Sequence, residues 1–126
     1  MANALTLSVS ASWTQGNFTD SFIPTLATLT LNTQGAAGGI QAIGTAEENL
    51  VAGDIATNGM LFLMNLDATN YVQWGMSDSG TMKAVGKLKG GATAASVALL
   101  YVDAGVAVRL KANTATCNVY YKWLND

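Results

Sequence analysis

The sequence contains no histidine, one cysteine and one proline among its 126 residues. Without histidine the chain cannot build a Ser/His/Asp triad, a Cys/His dyad or a His-ligated zinc site. The single Cys117 excludes an intrachain disulfide and a CxxC metal or redox pair. We therefore predict that the protein is not an enzyme and that it carries no cofactor.

Charged residues are scarce, at 11% of the chain, where about 25% is usual for a soluble domain. The net charge of −2 gives no global field that would attract nucleic acid. Much of the surface must consist of small neutral residues, which are cheap to desolvate and suit permanent assembly. The composition thus favours a structural or binding protein.

The few charges are unevenly distributed along the chain. Residues 1–82 hold six acids and no base, whereas residues 83–126 hold all six bases and two acids, so the halves carry net charges of −6 and +4. The asymmetry cancels if the halves interleave in one sandwich. Otherwise, patches of opposite sign meet between copies of the protein.

No segment has the properties of a membrane span or a secretion signal. The uncharged stretch 21–46 contains the only proline, Pro24, together with many polar residues and glycines, and it has no apolar run of bilayer length. The residues that follow Met1 lack a basic region. We expect no association with membranes.

Apolar and polar residues alternate over much of the chain, which is the pattern of half-buried strands. The alternation predicts strands over residues 5–13, 27–31, 72–76, 82–88, 106–112 and 117–123. Asp78-Ser79-Gly80 predicts a tight turn that joins two of these strands as a hairpin. Residues 60–64 are apolar in both phases, as in a strand covered on both faces, and residues 35–39 predict a turn or flexible loop.

Residues 95–102 are a further expected strand, and residues 45–55 form either an irregular strand or a single turn. These eight or nine short strands with evenly spaced turns predict an all-β fold, an antiparallel β-sandwich or jelly roll. We expect a single domain over residues 1–126. Within it, residues 1–14 form either an edge strand or an N-terminal arm that pairs with the sheet of a neighbouring copy.

Two groups of residues have side chains that could support chemistry. Glu47, Glu48 and Asp54 offer oxygen ligands for calcium or an acid/base pair, but adjacent residues on a strand point to opposite faces. We interpret them as a solvated acidic loop and predict no metal site. Cys117 shares the phase of Val119 in a core strand, so we expect it to be buried and unreactive.

The aromatic and basic residues supply the candidate interaction surface. Five aromatics fall on apolar phases and are predicted to lie in the core: Trp13, Phe62, Trp74, Tyr121 and Trp123. Tyr71 and Tyr120 fall on the opposite phase, where an exposed ring suits either sugar stacking or a subunit interface. Lys83 and Lys87 lie on one strand and, with Arg109 and Lys111, predict a modest basic patch that is either solvated or a contact for an acidic protein.

Three segments carry a resemblance to a known group of proteins. They are residues 41–48 (QAIGTAEE), 62–75 (FLMNLDATNYVQWG) and 109–115 (RLKANTA). Together they resemble small β-rich structural proteins of tailed bacteriophages and prophages, and the likeness extends over residues 40–124. The resemblance implies a virion component and brings no catalytic motif, and NLDATN within it has the composition of a structural turn.

The resemblance and the composition together lead to two hypotheses. The first is a capsid decoration (cement) protein that stabilises the virion shell by binding the major capsid protein. It assembles in the bacterial cytoplasm as a homo-oligomer, for which the resemblance suggests a trimer, and binds neither nucleic acid nor membrane. The alternative is a tail or fibre module that holds a host glycan on Tyr71, Tyr120 or a tryptophan.

Overall fold

Twelve short β-strands make up the regular structure in the computed structural model, which describes residues 4–24, 27–31, 35–53, 55–91 and 96–126. Every strand pairing among these residues is antiparallel, and they contain no helix, so the all-β prediction is confirmed. The strands are β1 (Ala4–Leu7), β2 (Ala11–Gln15), β3 (Phe18–Phe22), β4 (Ala27–Thr30), β5 (Ala36–Ile43), β6 (Glu48–Asn49), β7 (Met60–Asn65), β8 (Val72–Asp78), β9 (Thr81–Leu88), β10 (Val97–Tyr101), β11 (Val108–Ala112) and β12 (Cys117–Leu124).

The chain divides into two compact units, Met1–Thr33 and Gln34–Asp126. In the first unit β1 pairs with β4, and β2 pairs with β3, as two separate two-stranded sheets. The expectation of one domain over residues 1–126 stays a prediction. So does the N-terminal arm at residues 1–14, of which 1–3 lie outside the described residues.

The single strand expected over residues 5–13 is wrong, because β1 ends at Leu7 and β2 begins at Ala11. All residues of β2 and β3 are exposed, and Trp13, predicted to lie in the core, is 43% exposed. Alternation marks the two faces of a strand, but a face is buried only where a second layer covers it. The structure has more strands than the eight or nine predicted, in part because the expected strand is divided into β1 and β2 and because β3 was not predicted.

The second unit is a β-sandwich of two four-stranded sheets. The first sheet has the strand order β10-β7-β12-β5, and the second has the order β6-β11-β8-β9. Buried side chains of both sheets form one cluster, with Leu61 and Trp123 from the first and Val72, Val108 and Leu110 from the second. The sandwich prediction is confirmed in this unit, where β7 lies between two neighbours as its apolar sequence indicates.

The stretch 35–39 was predicted to be a turn, but most of it belongs to β5, which pairs with β12 along all eight residues. Gly38 is required by this pairing. A Cβ at that position would approach Tyr121 O to 2.6 Å and Lys122 Cδ to 2.9 Å. Here the glycine provides space beneath a cross-strand side chain and does not mark a turn.

The predicted hairpin is present between β8 and β9. Its two turn residues, Ser79 and Gly80, have φ of 52° and 84°, which is the positive-φ pair of a two-residue hairpin turn. A β-bulge follows, because Gly75 pairs with Ala84 while Trp74 pairs with Gly86. The extra residue in β9 changes which side chains share a face.

Candidate interaction surfaces

The outer face of the second sheet brings together four of the six candidate residues. Gln73 of β8 pairs with Lys87 on one side and with Lys111 on the other, so these three side chains form a row across three strands. Tyr71 directly precedes β8, two residues before Gln73, and the Lys87 Nζ is 4.6 Å from the centre of its ring. We call this surface, which is completed by Arg109 of β11, the basic face.

Arg109 has a structural role within the basic face. Its guanidinium donates to the backbone oxygen of Gly80 in the β8–β9 turn and, at 3.2 Å, to that of Glu47. The Glu47 carboxylate in turn accepts the backbone N–H of Met82 at 2.9 Å. Arg109 is half-buried, and its hydrogen bonds are used in holding the turn, so Lys87 and Lys111 are the cations of this face that are available to a partner.

Lys83 does not belong to the basic face, contrary to the prediction that it shares a face with Lys87. The bulge shifts the phase of β9, so that Lys83 lies opposite Met76, a residue of the core-facing side of β8, whereas Lys87 lies opposite Gln73. Lys83 Nζ is 3.8 Å from Asp78 Oδ2, the one ion pair found in the described parts of the chain. Both side chains are largely exposed, so the pair contributes little.

The outer face of the first sheet is apolar across all four strands. The paired residues Ile40, Tyr120, Met64 and Val97 form one row across β5, β12, β7 and β10. The next row is Gly38, Lys122, Phe62 and Leu99. We call the surface of Ile40, Phe62, Met64, Val97, Leu99 and Tyr120 the apolar face, and Ile40 and Val97 on it are 62% and 70% exposed.

The apolar face was not foreseen as a site. Of its six residues only Tyr120 was a candidate, and Phe62 was assigned to the core, whereas its side chain is half-buried on this outer face. The signal that was available is the run 60–64, which is apolar in both phases. Such a run indicates a strand with apolar side chains on both faces. The second sheet covers only the inner face, where Leu61 and Leu63 are buried.

Tyr71 precedes β8 of the second sheet, whereas Tyr120 lies on β12 of the first sheet. Tyr71 belongs to the basic face, with its ring already approached by Lys87, and Tyr120 belongs to the apolar face. The structure therefore does not combine the two predicted tyrosines into one stacking platform for a sugar ring.

The segment NLDATN is organised by hydrogen bonds to its own backbone, as its composition predicted. Asn65 is fully buried, donates from Nδ2 to the carbonyl oxygens of Asn70 (2.8 Å) and Leu88 (3.0 Å), and accepts the Asp67 N–H at 3.0 Å. Asp67 accepts the N–H groups of Asn70 and Thr69, in that order of effect, and these bonds lower the pKa of its carboxyl. The segment is a structural loop.

The acidic residues that the structure describes do not form a metal site. Glu47 and Glu48 bind different backbone N–H groups, and Asp54 lies outside the described residues. Within the described ranges no group of three or more acidic or cysteine residues could hold a metal ion. Cys117 is buried as predicted, and burial, followed by the charge of Asp67, raises the pKa of its thiol.

Comparison of the chain with protein-family models, curated proteins and solved structures finds no match. In the described part of the chain, nothing forms a helix with the length and hydrophobicity needed to cross a bilayer. Function must therefore be inferred from the two outer faces of the sandwich.

Proposed function

We propose that the protein is a structural subunit of a bacteriophage particle, a decoration protein that associates with itself and binds the capsid shell. The observation that carries the proposal is the apolar face, which is exposed on the outside of a sandwich whose two sheets share a buried core. The resemblance of residues 40–124 to phage structural proteins supplies the biological setting.

The apolar face is large enough to form part of an interface, which typically buries about 800 Å² on each partner. Strands spaced about 4.8 Å apart, with about five residues each at 3.3 Å, give a surface of about 19 by 17 Å. Its two central rows contain one charged side chain, that of Lys122. Contiguous apolar patches of this kind on a soluble protein are typical of association sites, because leaving them in water is unfavourable.

The basic face suits a different partner. Lys87 and Lys111 flank Gln73, and the polar row offers two cations with few competing charges. A surface of this kind complements an acidic patch on another protein, and its contribution falls as salt screens the charges. We infer that the shell protein presents such a patch, so that the protein self-associates on one face and binds the shell on the other.

Neither of the two predicted tyrosines supports the glycan-binding alternative. The Tyr71 ring is in contact with Lys87, and Tyr120 lies within an apolar row that would be buried by association. Glycan binding is therefore the contrasting outcome of the test.

The proposal is tested by co-sedimentation with purified capsids of the encoding phage that lack this protein. Wild-type protein is expected to pellet with the capsids and to raise their thermal stability. Lys87→Glu on the basic face should weaken binding about 10-fold or more, by replacing attraction with repulsion. Lys83→Glu is the matched control, since it makes the same change on the same strand but on the other side of the sheet, and it should bind like wild type.

Two results would contradict the proposal. One is wild-type protein that stays in the supernatant at low salt with capsids of the right phage. The other is a reproducible glycan-array signal that is lost on Tyr120→Ala, together with no capsid binding, which would favour the tail or fibre module.

A further inference from the structure

The β2–β3 hairpin presents an aromatic face whose large side chains are exposed. Trp13, Phe18 and Phe22 lie on this face with Asp20, because the register pairs Trp13 with Asp20 and Phe22 with Ala11. The three aromatic side chains are 43%, 56% and 57% exposed. Exposed aromatic side chains are unfavourable in water, as are those of the apolar face. We therefore expect this face of the hairpin to be buried against a partner when the protein functions.

The opposite face of the hairpin is polar throughout. It carries Ser12, Thr14, Thr19 and Ser21, and the hydroxyls of Thr14 and Thr19 are 3.3 Å apart. A two-stranded hairpin alone in water is marginally stable, and packing of one face against another element is what usually secures it. This division into a hydroxyl face and an aromatic face indicates that one side stays in solvent while the other docks.

The aromatic face of the hairpin and the apolar face of the first sheet are complementary in charge. Each is an apolar surface with a single ionised group near its middle. In the hairpin this is Asp20, the central residue of β3. In the first sheet it is Lys122, which pairs with Phe62 and lies across Gly38. Neither residue forms an ion pair with another residue that the structure describes.

The dimensions also agree. Two strands of five residues make a hairpin of about 10 by 17 Å, which fits on a four-stranded face of about 19 by 17 Å. Aromatic residues dominate the energetics of such contacts, and a charge pair enclosed by apolar side chains fixes the register of docking.

We propose that the β2–β3 hairpin of one copy docks on the apolar face of a second copy, with Asp20 opposite Lys122. The inference rests on the proposed role as an assembling subunit and names the partner of its apolar face. Because each chain carries both halves of the contact, every subunit gives one hairpin and receives one. The contact joins unlike surfaces, so it closes either as a reciprocal pair or as a ring such as the trimer.

The test exchanges the two charges between separate chains. Asp20→Lys and Lys122→Glu are purified separately, and their mass is measured by light scattering across a concentration series. Each variant alone places like charges together and should associate about 10- to 100-fold more weakly than wild type. An equal mixture restores opposite charges at both contacts of a reciprocal pair, or at two of the three contacts of a trimeric ring, and should recover most of the association.

Lys89→Glu serves as the control, since Lys89 is an exposed lysine that belongs to neither surface. It should associate like wild type, and circular dichroism should show that all the variants keep the wild-type β-structure. Recovery in the mixture together with normal association of the control supports the proposal.

Four outcomes would overturn it. The first is single variants that associate like wild type. The second is a mixture that stays dissociated while the double variant in one chain recovers stability, which would place the hairpin on its own chain. The third is a Lys89→Glu variant as weak as the others. The fourth is wild-type protein that is monomeric at every concentration, and this would leave capsid binding through Lys87 as a separate question.

Discussion

Replacing Asn65 with leucine would remove three hydrogen bonds from the interior of the sandwich. The side chain is fully buried, and its amide connects the end of β7 to the following loop and to the end of β9. At a net contribution of about 1 kcal/mol for each bond, we expect a loss of about 3 kcal/mol in the free energy of unfolding. For a domain of about 100 residues this lowers the melting temperature by roughly 12–24 °C.

The assay is guanidinium unfolding followed by circular dichroism, with Asn118→Leu as the matched control. Asn118 is exposed on β12, and the same substitution there should change the free energy of unfolding by less than about 0.5 kcal/mol. Asn65→Asp removes the Nδ2 donor and also places a carboxyl group against the carbonyl oxygens of Asn70 and Leu88, so it should destabilise the fold as well. A loss below about 0.5 kcal/mol for Asn65→Leu would refute the idea that this residue organises the loop.

Three further predictions concern packing and titration. Gly86→Ala should cost about 1–2 kcal/mol and shift the tryptophan emission, because a Cβ there would lie 2.8 Å from Trp74 Nε1. The pKa of Asp67 is lowered, chiefly by the N–H of Asn70, so wild type should lose stability as pH falls below about 4. In acid denaturation, Asp67→Asn should show a smaller fall in the free energy of unfolding over the same pH range. The pKa of Cys117 is raised above 9.0 by burial, so wild type should lose stability relative to Cys117→Ala as pH rises through that value, and iodoacetamide should label the thiol only on unfolding.

The sequence predicted the class of fold because alternation records which side of a strand is apolar. It predicted the β8–β9 hairpin for a local reason, the backbone preference of Ser79-Gly80. It failed at β5, where the propensity of glycine for turns is overridden by pairing with β12 along eight residues. Pairing between distant segments is not visible in local sequence.

The candidate site was predicted in part. Tyr71, Lys87, Arg109 and Lys111 do share the outer face of the second sheet, as their phases indicated. Lys83 was misplaced because a single bulge residue reverses the phase of a strand, and no sequence signal marks it. The sequence did not predict the apolar face as a site, because alternation cannot distinguish an apolar face that is covered by the same chain from one that is covered by a partner.

The mass of the protein in solution tests most directly whether this chain is an assembling subunit. At micromolar concentration, wild type should have the mass of two or more chains of 13.0 kDa each. Val97→Asp on the apolar face should shift the mass toward that of the single chain. Val85→Asp, the same change at a similarly exposed valine (63% against 70%) on the second sheet, should not. Wild-type protein with the mass of one chain at all concentrations, or equal effects of the two substitutions, would contradict the account.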